Sequence, residues 1–230
     1  MRTLNWSACV NVRDLGGLST RHGDTTVFGR VVRADSLDRL DDDGVASMRR
    51  YGISTIIDMR DARERDATTS YESIERLHLP LEDQSDEEFW QKWRHYNSTP
   101  IYYSAFLKHC PERVRSVFES IALAPPGGIV FHCGAGRDRT GLIAILLLNL
   151  VGVSPEQIVG DYCLSAPNLK PLGQVKDQEA IEAAYKANKT NAATEILALL
   201  SDFDAETYLL DSGVSREMIE LIRSRLTASK

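Results

Sequence analysis

The chain has 230 residues, 43% of them apolar and 26% charged, with a formal net charge of −6. That length can bury one sizeable core, and the acidic balance argues against a nucleic-acid binder, which needs clustered positive charge. The segment Met1 to Val10 lacks an apolar stretch of signal-peptide length, and the longest apolar run, Leu142 to Val151, is interrupted by Asn149 and too short to span a bilayer.

In chain order, Thr25 to Ala34 is rich in Val and Thr and predicts a strand after a turn at His22-Gly23-Asp24. Ser36 to Tyr51 predicts a helix, with Leu37, Leu40, Val45 and Met48 on one face and Gly52 as its stop. Ile53 to Asp58 is a β-branched run of the kind found in buried parallel strands, followed by a charged stretch, Arg60 to Asp66, and a further strand near Arg76 to Leu79. Glu87 to Leu123 predicts two helices broken near Pro111, and Pro125-Pro126-Gly127-Gly128 is a break. Ile129 to His132 predicts a strand, Arg139 to Val151 a helix, and Ser154-Pro155 the cap and first position of another. From Lys176 onward the pattern is helical, ending in a helix over Ser215 to Leu226. Within this, 165–200 reads either as a helical lid or as plain C-terminal bundle helix. Strands alternating with helices predict an α/β fold, a mainly parallel central sheet flanked by helices, with a helical C-terminal part and a single domain over 1–230.

The four cysteines, Cys9, Cys110, Cys133 and Cys163, are scattered without a CxxC pair, which predicts free thiols in a reducing, cytoplasmic setting. A zinc site is not expected, because His109-Cys110 and His132-Cys133 are adjacent pairs whose side chains diverge on extended backbone.

The segment that carries chemistry is Ile129 to Leu142, a strand, a glycine-containing loop over Cys133 to Asp138, and a helix from Arg139. Strand ends of an open α/β sheet are where ligands bind, and loop N–H groups converging with a helix N-terminus favour an anion. Gly134 and Gly136 would let the loop curl, Arg139 would offer a planar fork to two phosphate oxygens, and the combined field would favour the Cys133 thiolate over the thiol. Thr140 can return a hydroxyl to the sulfur when it leaves. A dinucleotide fingerprint fails because Arg139 occupies its third glycine position, and no GxxxxGK[ST] loop is present.

His132-Cys133-x-x-Gly136-x-x-Arg139-Thr140-Gly141 resembles the signature of the protein tyrosine phosphatase superfamily, and in particular a bacterial and fungal tyrosine/dual-specificity group with a loop of the form HCxAGKDRTG. The resemblance extends to Asn11-Val12-Arg13-Asp14-Leu15-Gly16-Gly17, Arg33-Ala34-Asp35, Asp58-Met59-Arg60, Asp161-Tyr162-Cys163-Leu164-Ser165 and Gly213-Val214-Ser215, in the family's order and over nearly the whole chain.

The resemblance implies a phosphatase-like fold and cofactor-free, metal-free hydrolysis of phosphotyrosine, with phosphoserine, phosphothreonine or phosphoinositide as further substrates. Cys133 would be the nucleophile, Arg139 the phosphate clamp, and Gly134, Ala135, Gly136, Arg137 and Thr140 the cup. The general acid would be Asp138, as in the closer group, with Asp83 and Asp86 as alternatives, since no Asp lies between Glu87 and Arg137. His132, Arg13, Asp14 and Arg60 would support the site: His132 by orienting the loop, Asp14 by holding the N-terminal segment against it. For Arg13 and Arg60, surface salt bridges are the commoner fate of such residues. The alternative for Asp138, ranked behind the acid role, is a structural carboxylate pairing with Arg13 or Arg60 or capping the next helix. Arg137 replaces a Lys associated with phosphoinositide activity, keeping the charge but changing the shape. Two other classes share such a loop: arsenate reduction or sulfur transfer, for which Cys163 is the downstream thiol, and a non-catalytic phosphate-binding module.

Overall fold

The computed structural model describes residues 1–65, 71, 73–173 and 175–227. Expectations that reach Asp66, Gln174 or 228–230 lie outside the described residues at those positions. The strands are β1 (Arg13–Asp14), β2 (Val31–Ala34), β3 (Ile53–Asp58), β4 (Glu75–His78) and β5 (Gly128–His132). The α-helices are α1 (Asp42–Arg50), α2 (Glu87–Trp93), α3 (Tyr103–His109), α4 (Pro111–Leu123), α5 (Arg139–Leu150), α6 (Pro155–Cys163), α7 (Ser165–Leu169), α8 (Val175–Asn188), α9 (Ala192–Ser201), α10 (Ala205–Asp211) and α11 (Arg216–Leu226).

Among the described residues the strands form one sheet in the order β1-β2-β5-β3-β4, with β1 antiparallel and the rest parallel. This is the predicted α/β architecture. Alternation along the central strands divides the core in two. Val31, Ile57, Ile129 and Phe131 face the side packed by α4, α5, α6, α9 and α11, and Val32, Ala34, Ile56 and Val130 face Trp6, Leu37 and Met48. A sheet covered on both faces needs apolar residues at successive positions, which is why Ile129-Val130-Phe131 is a continuous run. Helix α5 is buried on almost every side, so its Leu and Ile content has no polar stripe. No helix of the described residues is long and apolar enough to cross a membrane.

Three predicted elements are divided more finely than their patterns suggest. Of Thr25 to Ala34 only the end is ladder: Thr25 and Thr26 make isolated bridges to Ser19 and Thr227, and Gly29, at φ 74°, turns the chain before β2. The predicted helix from Ser36 to Tyr51 is a short 3-10 turn, Leu37–Arg39, then α1, because the Asp41 carboxylate accepts from Gly44 N and restarts the helix. Between Glu87 and Leu123 the break at Pro111 is present, but Pro100 opens a further turn capped by Thr99, so α2, α3 and α4 replace two helices. Ser154 and Ser215 each accept from the backbone N–H three residues on, as N-caps do. Within 165–200, Ile196 and Leu200 of α9 join the main core, while Gly173, at φ 65°, separates α7 and its 3-10 extension from α8.

Candidate active site

Residues 133–138 leave β5 at its carboxyl end and enter α5 at Arg139. The loop is shaped from behind. Asn11 Nδ2 donates to the carbonyls of Ala135 (3.0 Å) and Gly136 (3.2 Å), Arg33 Nη2 to that of Gly136 (2.8 Å), and Ser36 N to that of Gly134 (2.9 Å). In a planar trans peptide the N–H opposes the C=O. Drawing these carbonyls outward therefore turns the N–H groups of Ala135, Gly136 and Arg137 to the inner side. Gly136 sits at φ 66°, where a Cβ would lie 2.4 Å from Ala34 O, so only glycine fits. Gly134 is different: a Cβ there would meet only Glu64 Oε2 at 3.6 Å and Arg139 Nη2 at 4.0 Å, so its expected role in the curl is not needed.

The anchors are held by a buried ionic cluster that joins segments far apart in sequence. Asp161 accepts from Arg13 Nε (3.0 Å) and Arg33 Nη1 (2.6 Å), and Arg2 joins the same carboxylate. Arg13 also donates to Asn11 Oδ1 (2.6 Å) and Ser165 Oγ (3.0 Å). Burial alone would raise the Asp161 carboxyl, but Arg33, Arg13 and Arg2 hold it well below the usual carboxylate range. Burial, with the neighbouring Arg33 charge, brings the Arg13 guanidinium down to about 10. Asp35 accepts from the backbone of Val10 and Asn11 and fixes the segment that carries Asn11.

On the inner side, Cys133 is 2% exposed. Arg139 donates from Nη1 and Nη2 to the two oxygens of Glu64, at 2.6 and 2.7 Å, and its Nε lies 3.5 Å from Glu82 Oε2. Glu82 accepts from Tyr102 OH (2.7 Å) and Gln84 Nε2 (3.1 Å). Burial pushes the Glu82 carboxyl up against the pull of Arg139. For Arg139, burial works against the charge, and the Glu64 hydrogen bonds with the charges of Cys133, Glu82 and Glu64 more than restore it, so the guanidinium stays above its ordinary value. Arg139, Glu64, Glu82 and Asn97 line a cavity of about 350 Å³. The Thr140 hydroxyl is buried and has no hydrogen-bond partner among the described residues, so the expected bond to sulfur is not made in this state.

Asp138 lies at the junction of loop and helix. Its Oδ2 accepts from Arg137 Nε (3.2 Å), its Oδ1 from Tyr162 OH (3.1 Å), and its carbonyl from Tyr103 OH (2.9 Å). It neither pairs with Arg13 or Arg60 nor caps α5 through its side chain. The alternatives are committed elsewhere: Asp83 binds Arg113 and Ser85, and Asp86 caps α2 and meets His109. His132 is fully buried with Nδ1 3.2 Å from Cys133 O, and desolvation, against the pull of Asp58, brings it down to about 4, so it is neutral and holds backbone.

Arg60 is buried, not a surface charge: it binds both oxygens of Asp58, at 2.9 and 2.8 Å, and donates to Glu64 O (3.1 Å). Arg13 is likewise internal. Asp14 departs from expectation. It accepts from Gly16 N, Gly29 N and Tyr51 OH, tying β1 to the lead-in of β2 and to the end of α1 instead of to the 133–138 loop.

The residues that sequence reading missed are Glu64, Glu82, Asn11, Arg33 and Asp161 as groups acting on the loop. Glu64 lies in the charged stretch Arg60 to Asp66 and Glu82 beside Asp83, and no local spacing marks either as a partner of Arg139. Asn11, Arg33 and Asp161 each open one of the motifs Asn11 to Gly17, Arg33 to Asp35 and Asp161 to Ser165. All four cysteines are free, with Cys163 exposed at the end of α6.

A family model described as "Tyrosine phosphatase family" matches residues 4–228. A tyrosine-protein phosphatase of Nostoc commune is 31% identical over 223 residues, covering 85% of this chain and 73% of the relative. The triple specificity protein phosphatase PtpB of Mycobacterium tuberculosis is 26% identical over 250 residues, covering 86% of this chain and 91% of the relative. A crystal structure of P. aeruginosa TpbA in complex with pTyr matches at a TM-score of 0.45 and 15% identity, covering 81% of this chain and 87% of that one.

Proposed function

Since the chain belongs to the tyrosine phosphatase family and is a tyrosine phosphatase, we propose that Cys133, Arg139 and Asp138 carry its reaction. A phosphomonoester seats its three non-bridging oxygens against the N–H groups of the 133–138 loop and the Arg139 fork. The Cys133 thiolate attacks phosphorus as the P–O ester bond breaks, giving phosphocysteine, while Asp138 gives its proton to the departing oxygen. Water then attacks phosphorus, the S–P bond breaks, the proton of water returns to Asp138, and inorganic phosphate leaves. Thr140, whose buried hydroxyl is unpartnered, donates to the sulfur as it departs. The cup of Gly134, Ala135 and Gly136 stays fixed through both steps because Asn11 and Arg33 hold it from outside.

The observation that carries this reading is the outward anchoring of the loop carbonyls with Cys133 and Arg139 at its two ends. The whole chain, 1–230, acts as one phosphatase domain, since Ile196, Leu200 and Ile222 share the core with α5. Beside Arg137, a cavity of about 380 Å³ lies between α7 and α8, lined by Leu169 and Lys170 and by Asp177, Glu179 and Glu182. Its three carboxylates oppose a polyanionic lipid headgroup and favour a phosphorylated protein segment over a phosphoinositide. Residues 165–200 would then serve as a wall of the substrate site. The four free thiols accord with a cytoplasmic location.

The test is phosphate release from an aryl phosphate by wild type, Cys133→Ser and Asp138→Asn, followed by a panel of phosphopeptides and phosphoinositides. Turnover should vanish in Cys133→Ser. In Asp138→Asn the rate should become steeply dependent on leaving-group basicity, and an unchanged dependence rejects Asp138 as the acid. Faster turnover of phosphoinositides than of phosphopeptides rejects the protein preference.

A further inference from the structure

A guanidinium that clamps phosphate must offer its N–H pairs to the ligand. In Arg139 both terminal nitrogens are already taken: Nη1 and Nη2 donate in parallel to the two carboxylate oxygens of Glu64, at 2.6 and 2.7 Å. This fork-to-fork geometry is the one a phosphate group would itself adopt. The same carboxylate leans over the loop, with Oε2 3.6 Å from where a Cβ on Gly134 would stand.

The two carboxylates on Arg139 are built differently. Glu82 approaches Nε from the side, has a side chain 4% exposed, and is tied down by Tyr102 and Gln84. Glu64 has a side chain 36% exposed and sits at the end of the short turn Ala62–Glu64. The backbone of that turn is fixed, since Arg60 donates to Glu64 O (3.1 Å) and Asp61 accepts from Arg63 N (2.9 Å). Beyond Arg139, the Glu64 side chain is held by Asp61 N alone among the described residues, at 3.1 Å. A fixed base with a half-exposed side chain can swing away from Arg139 without unfolding the turn.

We propose that Glu64 is a resident competitor for the phosphate end of Arg139, displaced by substrate, and that it thereby lowers the affinity of the clamp for every anion that uses the fork. This rests on reading Arg139 as the phosphate clamp. Any ligand that takes the fork must first displace Glu64, so each meets the same exchange cost. Glu64 therefore weakens phosphate and sulfate esters by a similar factor, and Glu82, on Nε, keeps the guanidinium in place during the exchange.

The test compares wild type, Glu64→Gln and Glu64→Ala as full-length proteins. Inorganic phosphate at slightly alkaline pH and phenyl sulfate serve as competitive inhibitors of aryl phosphate turnover. The phosphate inhibition constant should fall about fivefold in both variants, the scale of releasing an ion pair with one partly exposed partner. The phenyl sulfate constant should fall by a similar factor. If wild type binds phosphate and both constants stay level or rise in both folded variants, Glu64 is a positioning residue and the proposal is overturned. If wild type shows no competition by phosphate, the clamp reading fails, and this proposal with it.

Discussion

Behind the 133–138 loop, the Asp161 carboxylate is shared by Arg13 and Arg33 with all three side chains at most 1% exposed, whereas in front of it the Glu64 carboxylate that grips Arg139 is 36% exposed. Both are arginine–carboxylate contacts of similar length, yet their consequences differ. Charges removed from water cannot be left without partners, so the rear cluster has one arrangement and holds the loop to it. A pair that keeps contact with water loses little on opening, because solvent replaces each partner. The closed-in charges lie behind the loop, and the carboxylate open to water lies in front of it.

This contrast can be broken at several points, and the largest effect belongs to the proposed nucleophile. Cys133→Ser should lower turnover by at least about a thousandfold while leaving the melting temperature nearly unchanged. Loss of both in parallel would show that the front is as structural as the rear. Next comes the rear cluster: Asp161→Ala should destabilise by about 3–5 kcal/mol, read from denaturant unfolding, because Arg13 and Arg33 remain buried and unpaired. Glu64→Ala, by contrast, should move stability by no more than about 0.5 kcal/mol.

A pH titration sharpens the point. His132 is brought down to about 4 from an ordinary value of 6.5, so between those values the unfolded chain binds a proton that the folded one excludes. This contribution should be complete above pH 6.5 and decline as pH falls toward 4, by at most about 3 kcal/mol, and His132→Gln should flatten the slope in that window. The smallest contrast is between two glycines. Gly136→Ala places a Cβ against Ala34 O at positive φ and should cost about 1–3 kcal/mol together with phosphate affinity. Gly134→Ala should be tolerated to within about 0.5 kcal/mol. Equal losses at both would refute the distinction drawn between the rear-facing and inner-facing sides of the loop.

Much of the fold was legible because its signals are local. The run Ile53 to Asp58, the strand ending at His132 and the helix opening at Pro155 lie where β-branched content, alternation and caps put them. Errors arose where a short polar side chain offered the backbone a local bond. Asp41 restarts a helix that periodicity alone would have carried through, and Thr99 opens a turn before α3. At the site, Cys133, Gly136 and Arg139 were readable because their spacing places them on one loop. Glu64 and Glu82 were not, because nothing in a charged stretch tells which carboxylate the chain will fold back onto an arginine 75 residues away.

The amino-acid order by itself determined the strand–loop–helix that places a thiol and a guanidinium at the two ends of one loop, since that geometry is set within a dozen consecutive residues by dihedral preference and apolar run length. Tertiary structure alone decided which charges meet. Asn11, Arg33 and Asp161 converge behind the loop, Asp14 turns away from it, and Glu64 and Glu82 divide Arg139 between them. The reason is physical: a polar group at a given position has many partners of equal chemistry, and only the packing of the sheet and helices, which fixes distance and excludes water, selects among them.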